Sequence, residues 1–308
     1  MRTLNRTIAI GLYMADHRFL GRAVLPAVEA LQLLAGEVKR EWGLDVSQAD
    51  TVEFLRFLDL PQTPAADVIV EMEWRGERIL TRLCSTTGSR SGAMTRKLEQ
   101  VRAAFGPDEG APIPPQDFVV PGSGATLSVR PEDIYREAVP FGPAFRNIIG
   151  PAHLTADGAS ARVHAREIES LPGPSGSPFP LDAAFQLACL WGQRFRGLVG
   201  FPVGFARRRI FRLTESGRDY QAWVSAGRPE GDDLLFDLRL LDQDGRVMEA
   251  MEGLRMKDIS RGRLKPPDWL IGEQAVAHLA RLEDRGSAFP VSQAGGTFRG
   301  QGEDRKLG

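Results

Sequence analysis

His17 sits in a turn just ahead of a strongly patterned stretch, DHRFLGRAVLPAVEALQLLAGEVKREW over residues 16–42. Its imidazole, with an unperturbed pKa of about 6.5, can accept or release a proton near neutral pH. A second titratable group, Asp182, opens another apolar segment, LDAAFQLACLWGQRF. A free aspartate has a pKa of about 3.9, so it serves as an acid only if its surroundings raise that value. Burial among Phe179, Leu181 and Phe185 acts upward, whereas the positive end of a helix acts downward. The sequence leaves that balance open. Gln186 lies four residues beyond Asp182, on the same helical face, where it can orient the carboxyl group. Each group also has an ordinary reading. A histidine beside an apolar helix is commonly structural, an aspartate at a helix start is commonly a cap, and a glutamine there suits a solvated position.

The elements that must hold these groups follow from periodicity. Val24, Val28, Leu31, Ala35, Val38 and Trp42 recur at intervals of four and three, the spacing of one buried helical face. Pro26 suits the first turn of that helix, and Gly43 suits its C-cap. Residues 4–14, 51–60, 67–74 and 78–85 read as strands, and 94–105 reads as a short helix. Residues 106–125 are rich in proline and glycine (Pro107, Pro112, Pro114, Pro115 and Pro121), the composition of a linker. The layout then repeats. A loop over residues 170–180 precedes a second helix, on which Leu181, Phe185, Ala188 and Gly192 share a face, with Pro180 just before it. Strands follow over residues 204–213, 219–225, 234–241 and 246–256, with a strong turn at 242–245. The class is α+β, with two antiparallel sheets each wrapping one long helix. The expected units are 1–105, the linker 106–125, 126–260, and a tail 261–308 that is partly disordered.

Composition narrows the function. Lys plus Arg number 39 against 40 for Asp plus Glu, so no basic footprint for nucleic acid or an anionic membrane shows. No apolar run approaches the roughly 18 residues of a membrane span, and the N-terminus lacks the pattern of a secretory signal. Cys84 and Cys189 lie far apart, so neither a disulfide framework nor a metal site is expected. The chain reads as cytoplasmic.

Four short motifs now fall in one order. His17-x-x-x-Gly21-x-x-x-x-Pro26 matches the first signature of polyketide synthase dehydratase domains. Phe141-Gly142-Pro143-Ala144-Phe145 resembles that family's tyrosine-glycine-proline-x-phenylalanine block. Asp182-x-x-x-Gln186 matches its aspartate motif, and Phe201-Pro202-Val203-Gly204-Phe205 is a degenerate form of its leucine-proline-phenylalanine-x-tryptophan block. The likeness spans roughly residues 10–258 and implies a double hot dog fold. Two departures stand out: Phe141 replaces the family's tyrosine, and Ala138-Val139 replaces the glycine-tyrosine before it. A hydroxyl near the site is therefore missing unless Tyr135 supplies one.

The resemblance implies a hydro-lyase that removes water from a 3-hydroxyacyl thioester to leave a 2,3-enoyl thioester, in polyketide or polyunsaturated fatty-acid synthesis. It makes His17 the base and Asp182 the acid, with no metal and no cofactor. The substrate would arrive on the phosphopantetheine of an acyl carrier protein, and neighbouring synthase domains and a homodimer are the implied partners. An amide near Gly21, at the start of the first helix, would polarise the thioester carbonyl. Gly142 serves a turn, and Pro143 and Pro202 shape loops along the acyl tunnel. Product-template cyclases, double-bond isomerases and a catalytically retired scaffold domain share the implied fold and stand as alternatives. His153, His164 and His278 match no motif and are read as structural or surface residues. The run Arg207-Arg208-Arg209 reads as a solvated strand end, or else as a contact for an acidic carrier protein.

Overall fold

The structure is a computed structural model, and it describes residues 1–88, 95–107, 127–168 and 173–273. The chain opens with strand β1 (Arg2–Ala9), a 3-10 turn (Leu12–Asp16) and a small hairpin of β2 (Arg18–Phe19) and β3 (Arg22–Ala23). Helix α1 (Ala27–Trp42) leads to β4 (Gln48–Phe54), β5 (Ala65–Arg75), β6 (Arg78–Gly88) and β7 (Thr95–Gly106). The second half starts with β8 (Leu127–Val129), a short helix α2 (Pro131–Asp133) that widens into a π turn, and a 3-10 turn (Pro143–Phe145). Strands β9 (Ala152–Thr155) and β10 (Gly158–His164) precede the long helix α3 (Phe179–Arg196). The chain then runs through β11 (Phe201–Ile210), β12 (Asp219–Ala226), β13 (Leu234–Leu241) and β14 (Val247–Lys257).

Both long helices form where the apolar period places them. On α1, Val28, Leu31, Leu34, Ala35 and Val38 are buried, and Gly43 closes the helix in the left-handed conformation with its N–H donating to the Lys39 carbonyl. Pro26 stands just outside α1 as its N-cap, so Val24 lies ahead of the helix, buried in the segment that bridges to Asp59. Helix α3 begins two residues before Leu181, and Pro180 falls in its first turn, where a proline gives up no helical hydrogen bond. Sixteen of its eighteen residues are buried, so it has no solvent face and forms the middle of the core.

The expectation of two sheets is corrected: twelve strands form one continuous antiparallel sheet in the order β1-β5-β6-β7-β4-β11-β14-β13-β12-β10-β9-β8. Helix α1 packs on β5, β6 and β7, and α3 packs on β10 to β13. The halves fuse because β4, paired with β7 on one side, hydrogen-bonds β11 on the other, from Glu53 opposite Gly204 to Gln48 opposite Arg209. Pairing there removes two open strand edges. Gly204 makes the join possible. Its φ of +155° disfavours any other residue, and a Cβ at that position would run into the Val52 carbonyl oxygen.

Residues 95–106 are a strand, not the short helix that their composition suggests. Pairing with β6 along one edge and with β4 along the other outweighs the local preference of a segment rich in Lys, Glu, Gln and Ala. The arginine run is also neither a solvated end nor a docking patch. Arg207 alone is exposed, beside Asp50, whereas Arg208 is buried on Glu249 at 2.7 Å and Arg209 is buried 3.7 Å from Glu252. Most of the proposed linker and residues 274–308, with His278, lie outside the described residues. Residues 261–273 pack on the second half: Leu270 is fully buried, and Arg194 donates to its carbonyl. Among the described residues no helix is long and apolar enough to cross a membrane.

Candidate active site

His17 is fixed by its own loop. Its backbone N–H donates to the Met14 carbonyl, and its carbonyl accepts from Val24 N–H at 3.0 Å. The ring Nδ1 lies 3.3 Å from the Val24 carbonyl oxygen. A carbonyl only accepts, so Nδ1 carries the proton and Nε2 keeps its lone pair. The rings of Phe141 and Phe145 lie 4.6 Å and 5.1 Å from the imidazole, centroid to centroid. Burial among them pushes its pKa down to about 4, and the bond to Val24 opposes that only in part.

Asp182 lies in the first turn of α3 and is buried. Burial pushes its carboxyl up to about 7 against the opposing hydrogen bond from Gln186, and the nearby charge of Glu29 adds to the rise. The balance left open by the sequence thus falls on the side of desolvation. Gln186, one turn along, is fully engaged: Nε2 donates to Asp182 Oδ2 at 2.7 Å and to the Phe145 carbonyl at 2.9 Å. Its Oε1 accepts from the Tyr135 hydroxyl at 3.0 Å, and that hydroxyl accepts in turn from Ile148 N–H. Tyr135 therefore does bring a hydroxyl to the site, and it bears on Gln186.

His17, Gly21, Phe141, Asp182, Gln186 and Pro202 all line one cavity of about 620 Å³. Its walls are mainly apolar, from Leu25 and Phe54 to Phe185 and Met256. Arg18, Arg56, Glu137 and Lys265 also line it, and all four are exposed. Cys189 lines it too, but burial holds its thiol up at about 11, so it is a poor nucleophile near neutral pH. Gly142 and Pro143 do not reach the cavity. They build the turn beneath Phe141 and Phe145, and Gly142 packs against Asp16.

One expected feature is corrected. Gly21 is not at the start of α1, which begins at Ala27; it occupies the tip of the β2–β3 hairpin with φ +81°. No helix dipole aids its amide. Asp16 and the pair Tyr13–Glu29 also stand beside the site, marked by no motif. The Tyr13 hydroxyl donates to Glu29 Oε1 at 2.8 Å, with the Tyr13 ring against Phe145 and Phe179. Glu29 lies off the apolar stripe of Val28, Leu31, Ala35 and Val38, so the periodicity of α1 carries no hint of it. Among the described residues no three metal-ligating side chains converge.

A family model described as the polyketide synthase dehydratase N-terminal domain matches residues 113–266. No curated protein matches the sequence. Among solved structures, the dehydratase domain of the polyketide PpsC from Mycobacterium tuberculosis superposes with a TM-score of 0.62 at 18% identity, over 82% of this chain and 91% of that one. The same domain in complex with C12:1-CoA gives 0.60 at 19%, over 83% and 92%. The dehydratase domain from the CurF module of the Curacin polyketide synthase gives 0.62 at 18%, over 83% and 93%. At such identities these likenesses speak for the fold, which is that of hot dog dehydratases.

Proposed function

Because the chain belongs to the polyketide synthase dehydratase family, we propose that it removes water from a 3-hydroxyacyl thioester to give the 2,3-enoyl thioester. One observation carries this reading: His17 and Asp182 face the same mainly apolar cavity, where burial pushes the imidazole down to about 4 and the carboxyl group up to about 7. Near pH 6 the imidazole is neutral with Nε2 free, and the carboxyl group holds a proton. Two groups driven apart in this way divide into base and acid.

The step follows from that division. His17 Nε2 takes the α-proton, the Cα–H pair becomes the new double bond, and the bond from Cβ to the hydroxyl oxygen breaks. Asp182 supplies the proton with which that hydroxyl leaves as water. The reset is downhill, because the imidazolium is the stronger acid of the pair and returns its proton to the carboxylate. Gln186, held by Tyr135 and the Phe145 carbonyl, keeps the carboxyl group aimed. Phe141 contributes an apolar wall to the base in place of the family's hydroxyl. His17 takes one proton from the substrate and Asp182 gives one to the leaving hydroxyl, so the proton count closes on these two side chains and the step calls for no cofactor.

The cavity volume lies in the ordinary range for a bound small molecule. Its apolar lining suits an acyl chain, and the structure of a similarly folded domain is known in complex with C12:1-CoA. We assign the substrate to the phosphopantetheine of an acyl carrier protein, within a synthase whose other domains supply the 3-hydroxy group, and the working unit to a homodimer. Incubation with 3-hydroxyacyl carrier protein, or with 3-hydroxyacyl pantetheine thioesters, should yield a product lighter by one water. A His17→Ala variant should lose the activity. Full activity in that variant, or a product of unchanged mass, would overturn the assignment.

A further inference from the structure

Asp16 and Gly142 come from opposite halves of the chain and meet at the shoulder of the base. The Asp16 carbonyl accepts from Gly142 N–H at 2.9 Å, and its Oδ2 accepts from Ala144 N–H at 2.8 Å. The two bonds straddle Pro143, and Phe145 N–H closes the turn onto the Gly142 carbonyl at 3.0 Å. Gly142 has an ordinary φ of −68°, so no backbone conformation calls for glycine there. Space does. A Cβ at 142 would collide with Cβ and Cγ of Asp16, near the root of a short side chain that cannot swing clear while its bonds hold.

On the reading of His17 as the base, we propose that Asp16 is a positioning residue: it clasps the Gly142–Phe145 turn to the histidine loop and so sets the two phenylalanines against the imidazole. The rings at 4.6 Å and 5.1 Å belong to residues 141 and 145, which flank the clasped turn. The residue that hangs this wall is the one immediately before the base. Movement of the turn therefore changes the surroundings of the imidazole directly. The titratable groups that share the cavity wall with His17 are Arg18 on β2 and Asp182 and Cys189 on α3, with Arg56, Glu137 and Lys265 exposed further along it. Behind Phe145 stands the Tyr13–Glu29 pair. None of these is bonded to Asp16, so its removal acts on His17 through the phenylalanine wall.

The test combines NMR titration of the His17 ring with steady-state kinetics on a 3-hydroxyacyl pantetheine thioester. Asp16→Ala should raise the titration midpoint by about one pH unit or more as water reaches the ring. It should also lower kcat by about 10- to 100-fold with KM changed less than about twofold, the mark of misplacement rather than lost binding. Asp16→Asn keeps an oxygen for Ala144 N–H and should restore both values. Gly142→Ala should mimic Asp16→Ala, and the double variant should be no worse than either single one, because the alanine then has room. An unchanged midpoint in Asp16→Ala, or costs that add in full, would overturn the clasp. Should Asp16→Ala fail to fold, Gly142→Ala gives the same readings with Asp16 in place. The titration needs no turnover, so a shifted midpoint in a protein that dehydrates nothing would uphold the clasp and count against the dehydratase reading alone.

Discussion

Gln186 holds the carboxyl group of Asp182 from one turn further along α3, Nε2 to Oδ2 at 2.7 Å. Its other N–H and its oxygen are taken by Phe145 and Tyr135, so the amide cannot turn without breaking bonds in a buried place. Replacing Gln186 with leucine should act on Asp182 in two ways. The donated bond favours the ionised carboxylate, so its loss raises the carboxyl pKa above about 7 and moves the alkaline limb of kcat/KM to higher pH. Loss of aim should cost about 10- to 100-fold in kcat. Unpaired groups left on Tyr135 and Phe145 should cost about 1–3 kcal/mol in stability, read by denaturant unfolding. A limb that stays in place would mean that Gln186 does not govern the acid.

The pH profile of the wild-type protein tests the pair as a whole. Turnover needs a neutral His17, present above about 4, and a protonated Asp182, present below about 7. The dependence of kcat/KM on pH should therefore be bell-shaped, with its plateau on the acidic side of neutrality. The acid limb reports the imidazole and the alkaline limb the carboxyl group. Activity that climbs through neutral pH and stays high in alkali would exclude the carboxyl group as proton donor.

Much of this site was legible in the residues because the motifs place chemistry at the ends of strongly patterned elements. The apolar stripe of α1 and the spacing of Asp182 and Gln186 on α3 are local signals, and local signals survive in sequence. The junction of the halves was not legible. The pairing of β4 with β11 depends on a glycine at 204 whose value lies in the backbone that passes it, 152 residues away in the chain at Val52. Composition hides strand β7 in part for the same reason: β6 pairs with it from just upstream, but its other edge partner, β4, is distant in sequence. Asp16 was hidden beside a more conspicuous neighbour, and nothing near it in sequence shows what it touches. The arginine run looked like surface because its acidic partners lie on β14 and β4.

A site that holds an acid against its natural pKa should weaken the fold that holds it. Asp182 titrates at about 7 in the folded protein against an ordinary 3.8, so the folded state binds the proton more tightly than the unfolded state. Stability supplied by the protonated carboxyl is complete below 3.8 and is lost as pH rises through about 7. Above that value the buried charge costs up to about 4 kcal/mol, at about 1.4 kcal/mol per pH unit between the two pKa values. Asp182→Asn keeps an oxygen for Gln186 and cannot ionise. It should match wild type near pH 4 and exceed it by several degrees in Tm near pH 8, while losing dehydration at both. His17 shifts stability in the opposite sense, gaining as pH rises from about 4 towards 6.5, but this background is common to both proteins and cancels in the difference. A Tm difference that stays constant from acid to alkali would show that Asp182 titrates normally, and the proton needed for the leaving water would have to come from another group.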